Sequence, residues 1–178
     1  AAAFTFTTLN WNSAQTVTLT GVNDSLIDGD VVTTVTISVT DDSSNDEYDD
    51  VANQTVAVTT TDDDTAAFSK TETALTVTEA AGGGNTATFT LVLGAQPNTD
   101  VVLNVVSADT GEVTVGAADY TFTNGNWSTP QTVTLTGIDD SVDDGDVDTT
   151  VTISVTDDSS DNNFDALANQ TVTVTTTD

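Results

Sequence analysis

Residues 131–136 read Gln131-Thr132-Val133-Thr134-Leu135-Thr136, and the alternation in this run decides the fold class. Successive side chains of an extended strand point to opposite faces, so Val133 and Leu135 share one face and the threonines take the other. That is the pattern of an antiparallel sheet with one buried and one wet side. Val151, Ile153 and Val155 repeat it. Working outward, similar runs fall at 74–78, 86–93, 101–106, 112–115, 120–123, 149–156 and 171–176. Turn-forming residues stand between them: Gly82-Gly83-Gly84-Asn85, Gln96-Pro97-Asn98 and Asn124-Gly125-Asn126. Threonine, which favours the pleated conformation, supplies 40 of the 178 residues, and no segment shows a helical period of 3.6. The expectation is an all-β chain whose seven or eight short strands form an antiparallel β-sandwich. Phe89, Phe122 and Phe164 are its core candidates, and Trp11 and Trp127 are expected to anchor the core or plug one end of it.

The hexapeptide occurs twice, at 15–20 and 131–136. Residues 1–62 return without gaps as residues 117–178, a shift of 116, and 43 of the 62 aligned pairs are identical. Trp11 falls on Trp127, Gly21 on Gly137, and Asp28-Gly29-Asp30 on Asp144-Gly145-Asp146. A period of 116 is too long for a solenoid unit and suits tandem beads, each with its own core. The segment 63–116 occurs once. Residues 63–178 are therefore expected to form one complete repeat and residues 1–62 the C-terminal half of another, as in a window cut from a longer polypeptide.

Against 29 acidic residues stands one base, Lys70, giving a formal charge of −28. With no basic patch to exchange for phosphate counterions, nucleic acid is excluded as a partner, and anionic membrane surfaces repel the chain. No apolar run approaches the 18 or so residues of a membrane span, so direct membrane insertion is not expected. Such acidity can mark disorder, but the regular apolar alternation argues for a folded chain. The absence of cysteine leaves the core, or cations, to hold the fold. Without histidine, cysteine or a nucleophile paired to a base, an enzyme is not expected.

The acids gather in clusters. One is Asp139-Asp140-Ser141-Val142-Asp143-Asp144-Gly145-Asp146, whose earlier copy reads Asn23-Asp24-Ser25-Leu26-Ile27-Asp28-Gly29-Asp30. Another is Asp62-Asp63-Asp64, with Asp178 as its later counterpart, and a third is Asp157-Asp158 with its copy Asp41-Asp42. Two like charges 4 Å apart repel by about 4 kcal/mol at an effective dielectric near 20. Ca²⁺, which takes roughly six to eight oxygen ligands in flexible geometry, is the natural compensation, ahead of the stricter Mg²⁺. An EF-hand loop does not fit. Counted from Asp140, the third position is Val142 and the twelfth is Val151. A site would therefore be assembled from separate loops. Between copies, Asp140, Asp144 and Asp146 recur as Asp24, Asp28 and Asp30, whereas Asp143 becomes Ile27 and Asp139 becomes Asn23. This ranks Asp140 and Asp144 above Asp143.

Thr76-Val77-Thr78-Glu79 before a glycine turn, the run from Ile138 to Asp146 before a strand, and the aspartates closing each repeat together resemble the Calx-β domain. The variant with Tyr120-Thr121-Phe122-Thr123, Asn126-Trp127 and Gln131-Thr132-Val133-Thr134 is similar to tandem repeats of giant bacterial adhesins. The resemblance covers residues 63–178 and implies a seven-stranded, Ig-like Greek-key sandwich that binds Ca²⁺ at one tip. Its implied ligands are Glu79, Asp139, Asp140, Asp144 and Asp178, with Asp24, Asp28, Asp62 and Asp63 in the preceding copy. Two departures imply fewer ions, one or two per tip. The glutamate that often follows the Gly-Asp pair is Val147, and the aspartate entering the Tyr120 strand is Asp119 in one copy but Ala3 in the other.

The resulting expectation is a structural repeat of a long extracellular or cell-surface filament or adhesin stalk, with Ca²⁺ stiffening its junctions and neighbouring repeats as its partners. A ligand-binding module that grips glycans or another cell is the alternative. It lacks a distinctive aromatic platform. An ice-binding surface, suggested by Thr16-Val17-Thr18 and Thr171-Val172-Thr173, is explained more simply by solvent-facing strand threonines. Sequons at Asn23, Asn53, Asn126 and Asn169 allow glycosylation in a secreted chain.

Overall fold

The structure, a computed structural model, describes residues 3–80 and 85–178. Residues 63–178 contain two sheets. Their strands are β3 (Phe68–Lys70), β4 (Ala74–Thr78), β5 (Thr86–Leu93), β6 (Val101–Ser107), β7 (Val113–Val115), β8 (Asp119–Phe122), β9 (Gln131–Gly137), β10 (Val147–Val155) and β11 (Gln170–Thr177). One sheet runs β4-β11-β10-β6-β8 and the other β3-β5-β9-β7. The alternation read from the sequence is what packs them. Val133, Leu135, Val151, Ile153, Val172 and Val174 are fully buried, and Phe89, Phe122 and Phe164 lie in the same core. Trp127 packs against the edge of that core.

Two features depart from the sequence expectation. Phe68–Lys70 is a strand that the alternation did not show, because three residues are too short for a period to register. The chain then crosses at 71–73 from one sheet to the other, so the strand β4 joins the second sheet beside β11, and this pair is parallel. Every other strand pair in the two sheets is antiparallel. The glycine turn expected at 82–84 lies outside the described residues.

The earlier copy behaves differently. Residues 31–37 and 54–60 form the hairpin β1 (Val31–Ile37) and β2 (Gln54–Thr60). Val31 pairs with Thr60 there as Val147 pairs with Thr176, so the register is the same after the 116-residue shift. The hexapeptide at 15–20 forms no strand, and neither do residues 3–6. Sequence alone does not make the strand. In the later copy, the hexapeptide pairs with β5 and β7, both of which come from the unrepeated segment 63–116.

Candidate metal centre

Strand register gathers the acids at one end of the two sheets. Because β4 and β11 run parallel with Thr78 opposite Thr177, the residues that follow, Glu79 and Asp178, emerge side by side. The Glu79 amide donates to the Thr177 carbonyl at 3.1 Å. β10 runs antiparallel to β11 from Val147, opposite Thr176, so the connection 138–146 arrives at the same end. Gly137 closes β9 there. A β-carbon on it would stand 2.5 Å from the Thr78 carbonyl oxygen, so only glycine lets the two sheets approach at this point. A second glycine, Gly145, turns the loop with φ at +77°, as Gly29 does at +75° in the earlier copy.

Around this tip a shallow hollow is lined by Glu79, Asp139, Asp140, Asp143 and Asp178. Glu79 is only 7% exposed. Burial raises its carboxyl above the ordinary range, and Asp178, Asp140, Glu112 and Asp144 raise it further. The Asp140 side chain accepts from the Val142 amide at 2.7 Å, and Asp178 accepts from the Gly145 amide at 3.3 Å. Asp146 is exposed at the entry to β10, and among the described residues it is not part of the lining of this hollow.

Glu112 belongs to the same tip and was not among the sequence candidates. It precedes β7, whose Val113 pairs with Gly137, and its carbonyl accepts from the Ile138 amide at 2.9 Å. Its side chain is 9% exposed, and Oε2 is buried with no hydrogen-bond partner. Burial pushes its carboxyl up, followed by Asp144, Asp109 and Asp140. A signal existed in the composition: only four of the 29 acids are glutamates, and the two buried ones flank strands at this end. Reading 112–115 as a strand absorbed Glu112 into the sheet.

Among the described residues, no three acidic side chains stand as an assembled metal-ligating group. The acids ring the tip rather than meet at one point. Lys70, the one base, donates to the Glu72 carbonyl at 2.9 Å. Asp119 lies on β8, where it accepts from the Asn104 side chain at 2.7 Å, away from the tip. Asp157 and Asp158 form a short turn after β10, at the opposite end. There Asp165 is raised by burial and then by the neighbouring Asp157.

In the earlier copy Asp24, Asp28, Asp62 and Asp63 line one cleft together with Asp64. Asp62 accepts from the Gly29 amide at 2.7 Å and from the Asp64 amide at 2.9 Å, and its own amide donates to Asp30 at 3.0 Å. The amides of Asp64 and Gly29 lower the Asp62 carboxyl, that of Asp64 most. Asp64 is raised, by burial first and then by Asp62, Asp63, Asp24 and Asp28. The loop between Asp24 and Asp28 also touches the base of the following sheets. Leu26 bridges to Gln96, the Gln96 amide donates to the Ser25 carbonyl at 2.7 Å, and Ile27 packs against the core.

No protein-family model and no curated protein matches the chain. Among solved structures, it is similar to the periplasmic chaperone SfaE, with 6% identity over 62% of this chain and 57% of that one and a TM-score of 0.45. The S-layer protein SbsC, domains 4 and 5, aligns at 22% identity over 71% of this chain and 53% of that one, with a TM-score of 0.44. SSP-19, an MSP-domain protein like family member in Caenorhabditis elegans, aligns at 18% identity over 59% of this chain and 94% of that one, with a TM-score of 0.40. The chain thus spans little more than half the length of the first two. Among the described residues, no helix is long and apolar enough to cross a membrane.

Proposed function

We propose that the chain is part of a tandem array of Calx-β-like, Greek-key repeats in an extracellular filament or adhesin stalk, rigidified by Ca²⁺ at the repeat tips. Residues 63–178 are one repeat and residues 1–62 the C-terminal half of the one before. The observation that carries this reading is the convergence at one tip of acids from four separate segments, with Glu112 Oε2 buried and unpartnered. Burying a carboxylate oxygen without a donor is costly, and a hard cation is the partner that a ring of carboxylates accepts.

Glu79, Glu112, Asp140, Asp144 and Asp178 are the proposed ligands, with Asp139 at the rim. Mutual repulsion keeps such carboxylates apart, and a divalent ion reverses its sign. Bound Ca²⁺ supplies the positive charge that lets the loops close over the tip. In the earlier copy Asp24, Asp28, Asp62 and Asp63 take the same role. There Asp62 already ties the linker that follows β2, residues 61–67, to the Gly29 turn, while Asp30 orients the linker through the Asp62 amide rather than facing the ion. The same loop contacts Gln96 of the next repeat, so fixing it fixes the angle between beads.

Thermal melting of the full chain in excess EDTA, then in millimolar Ca²⁺ or Mg²⁺, tests this. A large Ca²⁺-specific rise, lost when Asp140 and Asp144 are replaced by alanine, supports it. Equal melts in all three media would leave the acids as a solvated face and end the proposal.

A further inference from the structure

We infer that the open face of residues 3–62 is a docking surface whose occupant is a polypeptide with the sequence of residues 63–116, joined to it as the first half of the same repeat. The inference rests on the reading of 1–62 as half a repeat, and it does not depend on calcium.

The chain carries its own comparison. Phe6 is 57% exposed and Phe122, its counterpart, is fully buried. Leu19 is 48% exposed and Leu135 is fully buried. Val17, Ile37 and Val56 are exposed where Val133, Ile153 and Val172 are buried. Leu19 lines a cleft of about 730 Å³ together with Val31, Val35 and Val58. In the later copy the equivalent space is core, filled by Val77, Phe89, Leu91, Val101, Leu103 and Val113, all from the segment 63–116.

Backbone pairing gives the same answer independently. β10 and β11 continue outward into β6 and β4, whereas β1 and β2 pair only with each other among the described residues. An exposed apolar hairpin with two free edges is a template for added strands. A second copy of this chain is a poor occupant, because its single segment 63–116 already fills its own repeat.

The test adds a second copy of residues 63–116 directly ahead of Ala1 in the full chain, beside a control in which the added segment is scrambled. Amides of residues 15–20 should exchange at least about a hundredfold more slowly with the authentic segment than with the scrambled one, as strand amides do in a cooperative fold. In a Trp127→Phe background, Trp11 emission should move to the blue. Leu19→Asp in the extended chain should remove both effects while the amides of Gln131–Gly137 stay protected, which separates loss of docking from general unfolding. Equal exchange with authentic and scrambled segments would overturn the inference. Protection of 15–20 in the unextended chain, appearing only as it dimerises, would also overturn it by making a second copy the occupant. Running both series in EDTA and in Ca²⁺ keeps the result separate from the calcium proposal.

Discussion

Replacing Leu135 by alanine and, separately, Leu19 by alanine makes one chemical change twice in the same hexapeptide. At Leu135 the side chain is fully buried, beside Ala87, its cross-strand partner on β5, and among the core residues of both sheets. Deleting it removes apolar burial and leaves a cavity, which costs about 2–5 kcal/mol. For a unit of this size, roughly 4 °C of melting temperature follows each kcal/mol, so a loss near 3 kcal/mol lowers the transition by about 12 °C. At Leu19 the side chain stands half-exposed on a segment that forms no strand, and the expected change is within about 0.5 kcal/mol, or about 2 °C. The assay is circular dichroism at a strand wavelength, with both variants melted in one buffer. Equal losses at the two positions, or a larger one at Leu19, would refute the claim that only residues 63–178 carry a closed core.

The pH dependence has a defined sign. Glu79, Glu112, Asp64 and Asp165 are raised above their ordinary values, so their contribution is fully present below the ordinary carboxylate range and is lost as pH climbs through the raised values. Asp62, lowered by backbone hydrogen bonds, works in the opposite sense but is one group against four. In EDTA the melting temperature should therefore fall as pH rises above the ordinary carboxylate range, and millimolar Ca²⁺ should flatten or invert that slope. Glu112→Gln should raise the melting temperature in EDTA, by removing a buried charge beside Asp144, and shrink the rise that Ca²⁺ gives. Gly137→Ala should cost about 1–3 kcal/mol, measured by urea unfolding, because its new methyl must displace the Thr78 backbone.

Much of the fold was legible because burial on one face writes itself as alternation. The run 74–78 was read with the bounds that β4 has, and so was 86–93 for β5. What stayed hidden was non-local. The crossing from β3 to β4 and the parallel pairing of β4 with β11 depend on which sheet each half-strand joins, and no local period encodes that choice. For the site, clustering of aspartates in one loop pointed to Asp140 and Asp144, and the terminal aspartate to Asp178. Glu112 was missed because it is a single acid at a strand entry, brought to the tip only by the pairing of Val113 with Gly137. Asp146 was named because both copies keep it. In the earlier copy its equivalent, Asp30, binds the linker amide, which gives a structural reason for the recurrence.

The central claim is tested most directly by a calorimetric titration of Ca²⁺ into the full chain at constant ionic strength, with Mg²⁺ as the competitor. The account predicts saturable binding that excess Mg²⁺ does not displace and that Asp140→Ala with Asp144→Ala removes from the tip of residues 63–178. Heats that never saturate, or that Mg²⁺ reproduces in full, would contradict it and leave the acids as a screened surface charge.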